Sequence, residues 1–151
     1  MSNVQCPVDF ITINENKARV NAFFVLGLAI TFLLTNVWVI FVLLVADFLL
    51  RATDWGKYSP IGFLSDAVIR QLKIKNKPVD RAPKRFAAGV GFVFTAGILI
   101  LLAVQQSLAA QILTVVLIVF ACLEAFGGLC VGCYVYTLGL LLTKKRVNKN
   151  L

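Results

Sequence analysis

The sequence predicts an all-α membrane protein, a small bundle of about four transmembrane helices in two hairpins, with one interfacial amphipathic helix between them. Three observations carry the prediction. First, 60% of the 151 residues are hydrophobic, 15% are charged, and mean hydropathy is +0.88. A soluble domain is roughly 45–50% apolar and about a quarter charged, so the ordinary cytosolic enzyme class is nearly excluded before any motif is read. Second, Ala22–Leu50 holds no Lys or Arg and one acid, Asp47, while Phe86–Leu142 holds one acid, Glu124, and no base. Third, the bases gather between and after these blocks. Residues 51–85 carry nine Lys/Arg against three Asp, and the tail from Thr143 adds Lys144, Lys145, Arg146 and Lys149. About 20 apolar residues cross a bilayer and basic connections stay cytoplasmic, so both basic segments are expected on that side.

Taken in order, residues 1–15 form an N-terminal segment whose charges cancel with those just beyond, Asp9 and Glu15 against Lys17 and Arg19. The first hairpin is expected over residues 16–51. As one helix its 29-residue apolar core would be about 43 Å long, against a hydrocarbon core of about 30 Å, so a turn at Thr35-Asn36 is preferred to a tilted single span. A signal peptide fits poorly, because the block is too long and lacks a small-residue cleavage site before Arg51. Residues 52–85 form the basic connection. In it Ser59-Pro60 reads as an N-cap followed by proline at the first helical position. Ile61, Leu64, Val68 and Leu72 then recur at helical spacing, which predicts an amphipathic helix over 60–73 lying on anionic lipid headgroups. Bases interleaved with apolar residues beside hydrocarbon-length segments point to membrane phosphates and away from nucleic acid. The 57 residues of 86–142 suffice for two crossings, with polar Gln105, Gln106, Ser107 and Gln111 at the turn. Residues 143–151 are the basic tail.

The chain has no histidine, so histidine triads, histidine metal sites and imidazole proton shuttles are excluded. The candidate chemistry lies in four cysteines, Cys6, Cys122, Cys130 and Cys133. Cys130-Val131-Gly132-Cys133 has the C-x-x-C spacing of dithiol motifs. Two structures are open to it. A break at Gly127-Gly128 would place Cys130 near a new helix N-terminus, which favours the thiolate. A continuous helix over 122–139 would instead put Cys122 and Cys133 about 20° apart in azimuth. Gly128, Gly132 and Gly139 would then form a separate groove for close helix packing, with the cysteines as small apolar fillers. In a reducing compartment a static disulfide scaffold is disfavoured. No cofactor is predicted. A zinc ion held by four cysteines is disfavoured too, because Cys122 lies too deep to join the others at about 2.3 Å from one ion.

Two acids in apolar surroundings are functional suspects because burying a charge is costly. Asp47 has a structural account, an i,i+4 ion pair with Arg51 near the membrane boundary. Glu124 has no local base, so it either holds its proton or pairs with Arg19, Arg51 or Arg85 from another helix.

Across almost its whole length the chain resembles a bacterial family of small membrane proteins known as domain of unknown function 4395. The resemblance rests on Cys6-Pro7-Val8-Asp9, Asn14-Glu15 with Arg19 and Ala22, Asp47-Phe48 with Arg51, and Ser59-Pro60. It continues through Pro83 with Arg85-Phe86-Ala87-Ala88, Cys122-Leu123-Glu124, Phe126-Gly127, and Cys130 to Cys133 with Tyr136. It implies a multi-pass protein of the bacterial inner membrane. It also implies a thiol or sulfur context, since relatives are encoded near, or fused to, thioredoxin-like and sulfurtransferase proteins.

Three functions are therefore expected to compete. The first is thiol-redox or sulfur handling, with Cys130 and Cys133 as the dithiol, Cys6 as a relay thiol and Glu124 as a charge device. The second is a small, homo-oligomeric transporter whose polar path uses Glu124, Gln105, Gln106, Gln111 and Asn36. The third is a membrane anchor for a thioredoxin-like or sulfurtransferase partner. No nucleotide loop, nucleophile elbow or paired carboxylates suggest a conventional soluble enzyme.

Overall fold

The computed structural model describes residues 12–149. A short strand β1 (Thr12–Asn14) leads into helix α1 (Glu15–Thr35), and α2 (Val39–Ala52) follows after a tight turn. A single 3-10 turn at Gly56–Tyr58 precedes α3 (Pro60–Gln71), and β2 (Pro78–Asp80) leads into α4 (Arg81–Ala103). Two further helices complete the chain, α5 (Ser107–Gly127) and α6 (Val131–Lys149).

The all-α architecture is as expected, and the local signals explain its boundaries. Asn14 caps α1 by accepting from the Asn16 N–H at 3.0 Å. The helix stops where predicted, because Asn36 takes the left-handed conformation (φ 55°) and donates its N–H to the Phe32 carbonyl at 2.7 Å. Ser59 caps α3 by accepting from the Gly62 N–H at 3.0 Å, with Pro60 at the first helical position.

Three helices, α1, α4 and α5, are long and apolar enough to cross a membrane, against about four expected. The difference has two sources. With 14 residues, α2 rises about 21 Å, short of a hydrocarbon core of about 30 Å. And the last apolar stretch is divided, because α5 has used a full membrane thickness by Gly127. There Gly128 (φ 64°) terminates the helix, and a new one begins at Val131. The continuous helix over 122–139 is thereby overturned.

Helices adjacent in sequence are not the main packing partners. α1 lies along α5, and α2 along α4, with α4 also touching α5 and α6. The buried layer between them includes Val25, Phe32, Phe41, Leu44, Ile98 and Leu117. Phe32 and Phe41 meet edge to face, centroids 4.6 Å apart, across the α1–α2 turn. Gly91 lets α4 approach α2: a Cβ there would lie 2.5 Å from the Phe48 ring. The large apolar side chains left outward, among them Leu34, Val93, Ile100 and Leu108, are what lipid rather than water would cover.

The antiparallel β1–β2 ladder, which the sequence did not suggest, pairs Ile13 with Val79 and ties the starts of α1 and α4 together. The Arg19 guanidinium packs on Gly128, bringing the end of α5 to the same place. The structure thus gathers the ends of α1, α2, α4 and α5 that adjoin the basic connection into one polar layer.

Candidate functional site

The polar layer begins with Asp47, which is fully buried. One of its oxygens accepts from the Ser59 hydroxyl and from the Ile61 N–H at 3.1 Å, so α2 holds the N-terminus of α3. The other faces Arg51 Nε at 3.4 Å, which is the expected i,i+4 pair. With its amide turned so that both ends are satisfied, Asn21 links this pair to α1, its oxygen accepting from Arg51 Nη1 at 3.0 Å and its nitrogen donating to Ser65. Arg51 also lies 4.6 Å over the Phe48 ring. Further out, Lys17 pairs with Asp66 at 2.7 Å, Glu15 with Lys77 at 2.8 Å, and Asp54 with both Arg81 at 2.6 Å and Arg85 at 3.0 Å.

Glu124 is paired, but not with any of the three arginines expected. Its partner is Lys84 of α4, with Nζ 2.9 Å from Oε1. In the sequence Lys84 is one base among many. What identifies it is that Pro83-Lys84 opens α4 one turn before Ala87, the residue on which α6 rests.

That contact decides the place of the cysteines. A Cβ on Gly132 would lie 2.6 Å from Ala87 Cβ and 2.7 Å from its Cα, so α6 starts in near-van der Waals contact with α4. Gly132 therefore permits the close approach of α6 to α4, although not as part of a continuous helix over 122–139. Gly128 instead ends α5, and a Cβ on Gly139 would meet nothing within 4 Å, so the proposed three-glycine groove is not formed among the described residues. Phe86 and Tyr136, with centroids 5.4 Å apart, extend the α4–α6 contact.

Cys130 immediately precedes α6, where an N-cap residue stands. Its carbonyl accepts from the Tyr134 N–H at 3.0 Å, and its sulfur accepts from the Cys133 N–H at 3.4 Å. The thiol is buried, at 6% exposure. Cys133 is one turn on and partly exposed. Hydrogen bonding from the Cys133 thiol holds the Cys130 thiol below its ordinary range, and the Cys133 N–H and the Lys84 charge act in the same direction. Burial and the Glu124 charge oppose them.

Lys84, Glu124, Cys130 and Gly132 share the wall of a 440 Å³ cavity with Asn21, Arg51 and Arg85. Cys122, in α5, does not line it, and Cys6 lies outside the described residues. Among the described residues, no three or more Cys, Asp or Glu are placed to hold a metal ion. Chemically, the site offers a dithiol at a helix N-terminus, an ion pair beside it, and a cavity rich in basic groups.

A family model described as a domain of unknown function (DUF4395) matches residues 13–140, and the chain belongs to that family. No curated protein and no solved structure matches the chain.

Proposed function

We propose that this DUF4395 member is a membrane-embedded thiol–disulfide exchange protein, with Cys130 as the attacking thiol and Cys133 as the resolving one. The observation that carries the proposal is the position of Cys130 at the N-cap of α6, its sulfur accepting the Cys133 N–H at 3.4 Å. A helix N-terminus and a hydrogen-bonded neighbour both stabilise a thiolate, which is the nucleophile in exchange. The Cys130 thiolate attacks one sulfur of a substrate disulfide, expelling a thiolate and forming a mixed disulfide. Cys133 then attacks Cys130 Sγ, its proton leaving with the second departing thiolate. Two electrons pass from the protein dithiol to the substrate, and a dithiol protein of the thioredoxin-like class would return them. Persulfide transfer would use the same first attack.

The protein would sit in the bacterial inner membrane with the polar layer, basic connection and tail facing the cytoplasm. The exposed Phe63 and Leu64 of α3, with Trp55 and Tyr58 just before it, suit a helix lying among anionic headgroups. Transport is less well supported. Asn36, Gln105 and Gln106 are exposed at the turns far from the polar layer, while Glu124 is engaged with Lys84 within it.

Equilibration in graded glutathione redox buffers, followed by mass mapping of acid-trapped thiols, tests the proposal. A reversible transition between two thiols and a Cys130–Cys133 disulfide is expected. Absence of that bridge in every buffer would overturn it.

A further inference from the structure

The cavity that reaches Cys130 has an uneven charge. Six Lys and Arg residues contribute to its lining, against Asp54 and Glu124 among the described residues, while Lys17 and Arg51 are met from just outside it by Asp66 at 2.7 Å and Asp47 at 3.4 Å, so cations still outnumber carboxylates. Glu124 is taken up by Lys84 at 2.9 Å. Asp54 Oδ1 serves two guanidiniums at once, Arg81 at 2.6 Å and Arg85 at 3.0 Å, so one carboxylate faces two cations. Arg85 is also held in place, its Nε donating to the Ala52 carbonyl at 2.7 Å, which ties α4 to the end of α2. A recess lined by one sign of charge concentrates ligands of the opposite sign. Planar guanidiniums also suit carboxylates in particular.

Resting on the thiol-exchange proposal, we infer that the cavity selects a small anionic disulfide, its carboxylate held by Arg81 and Arg85 and its sulfur presented to Cys130. At 440 Å³ the space suits a molecule of a few hundred daltons and is too small for a folded protein domain. The step conserves atoms and charge. Cys130 Sγ bonds one substrate sulfur, the substrate S–S bond breaks, and the released carboxylate-bearing thiolate carries the electron pair away. Attack by Cys133 releases the second thiolate, so the substrate is reduced by two electrons and the protein dithiol is oxidised by two.

The test uses the full chain in lipid nanodiscs with Cys6→Ser and Cys122→Ser, reduced, and three disulfides of nearly equal size. These are 3,3′-dithiodipropionate (two carboxylates), 2-hydroxyethyl disulfide (neutral) and cystamine (two ammonium groups). Formation of the Cys130–Cys133 bridge is followed by mass spectrometry. Each rate is divided by the rate at which the same disulfide oxidises 2-mercaptoethanol, which removes intrinsic reactivity. The normalised rate should be at least about tenfold higher for the dicarboxylate than for the diamine, with the neutral compound between. That spread should collapse in about 1 M salt, where the Debye length is about 3 Å, and should shrink in Arg85→Gln. Equal or reversed normalised rates would overturn the anion inference and leave thiol exchange standing. Failure to react with any of the three would overturn thiol exchange itself.

Discussion

Replacing Asp47 with asparagine isolates the charge at the centre of the polar layer while keeping the side chain's shape. Asparagine can still accept from the Ile61 N–H, which lies 3.1 Å from Asp47 Oδ1, so the cap on α3 is weakened rather than lost. What disappears is the carboxylate facing Arg51 at 3.4 Å, in a place where Asp47 is wholly buried and Arg51 largely so. Removing one partner of a buried pair costs about 3–5 kcal/mol, because the remaining charge is uncompensated. Arg51 keeps two supports, the Asn21 oxygen at 3.0 Å and the Phe48 ring at 4.6 Å, which places the expected loss nearer about 2–4 kcal/mol. For a chain of this size that is a fall in Tm of about 4–16 °C. The assay is reversible unfolding in mixed micelles, run as a double-mutant cycle with Arg51→Gln. The two single losses should exceed the double by a coupling of about 1–3 kcal/mol. Additive losses, or an Asp47→Asn cost below about 0.5 kcal/mol, would show that the pair does not organise this layer.

The two glycines of α6 should behave oppositely. Gly132→Ala drives a methyl to 2.6 Å from Ala87 and should cost about 1–3 kcal/mol in the same unfolding assay, whereas Gly139→Ala, facing open space, should be neutral or stabilising by up to about 1 kcal/mol. Gly128→Ala must hold φ at 64° and displace Arg19, so it should destabilise by about 1–2 kcal/mol or more, again read by unfolding. Lys84 and Glu124 act on Cys130 with opposite sign. Lys84→Gln should therefore slow iodoacetamide labelling of Cys130 at neutral pH, and Glu124→Gln should speed it, each on the order of threefold.

The features legible in the sequence are those set by nearby residues. Asn36 ends α1, Ser59-Pro60 starts α3, and Asp47 reaches Arg51 one turn on, because each depends on a cap or an i,i+4 spacing. The Gly127-Gly128 pair remained ambiguous, since glycines in an apolar run either loosen a helix or let another approach. Here the two uses are divided between Gly128, which stops α5, and Gly132, which seats α6 on Ala87. Long-range partners were hidden. Nothing local joins Lys84 to Glu124, 40 positions apart, or Asn21 to Ser65, and three-residue strands carry too little pattern to announce β1 and β2. The place of α2 is legible too, but a crossing is expected of it although its 14 residues fall short of the about 20 that a bilayer needs.

The most direct measurement is the pH dependence of iodoacetamide labelling at Cys130 in the full chain with Cys6→Ser and Cys122→Ser, with and without Cys133→Ala. With Cys133 present, labelling should rise with a midpoint below that of an unstructured cysteine, and its loss should move the midpoint upward, because the thiol that donates to Cys130 is gone. A Cys130 midpoint at or above the unstructured value, unmoved by Cys133→Ala, would contradict an activated thiol at the start of α6.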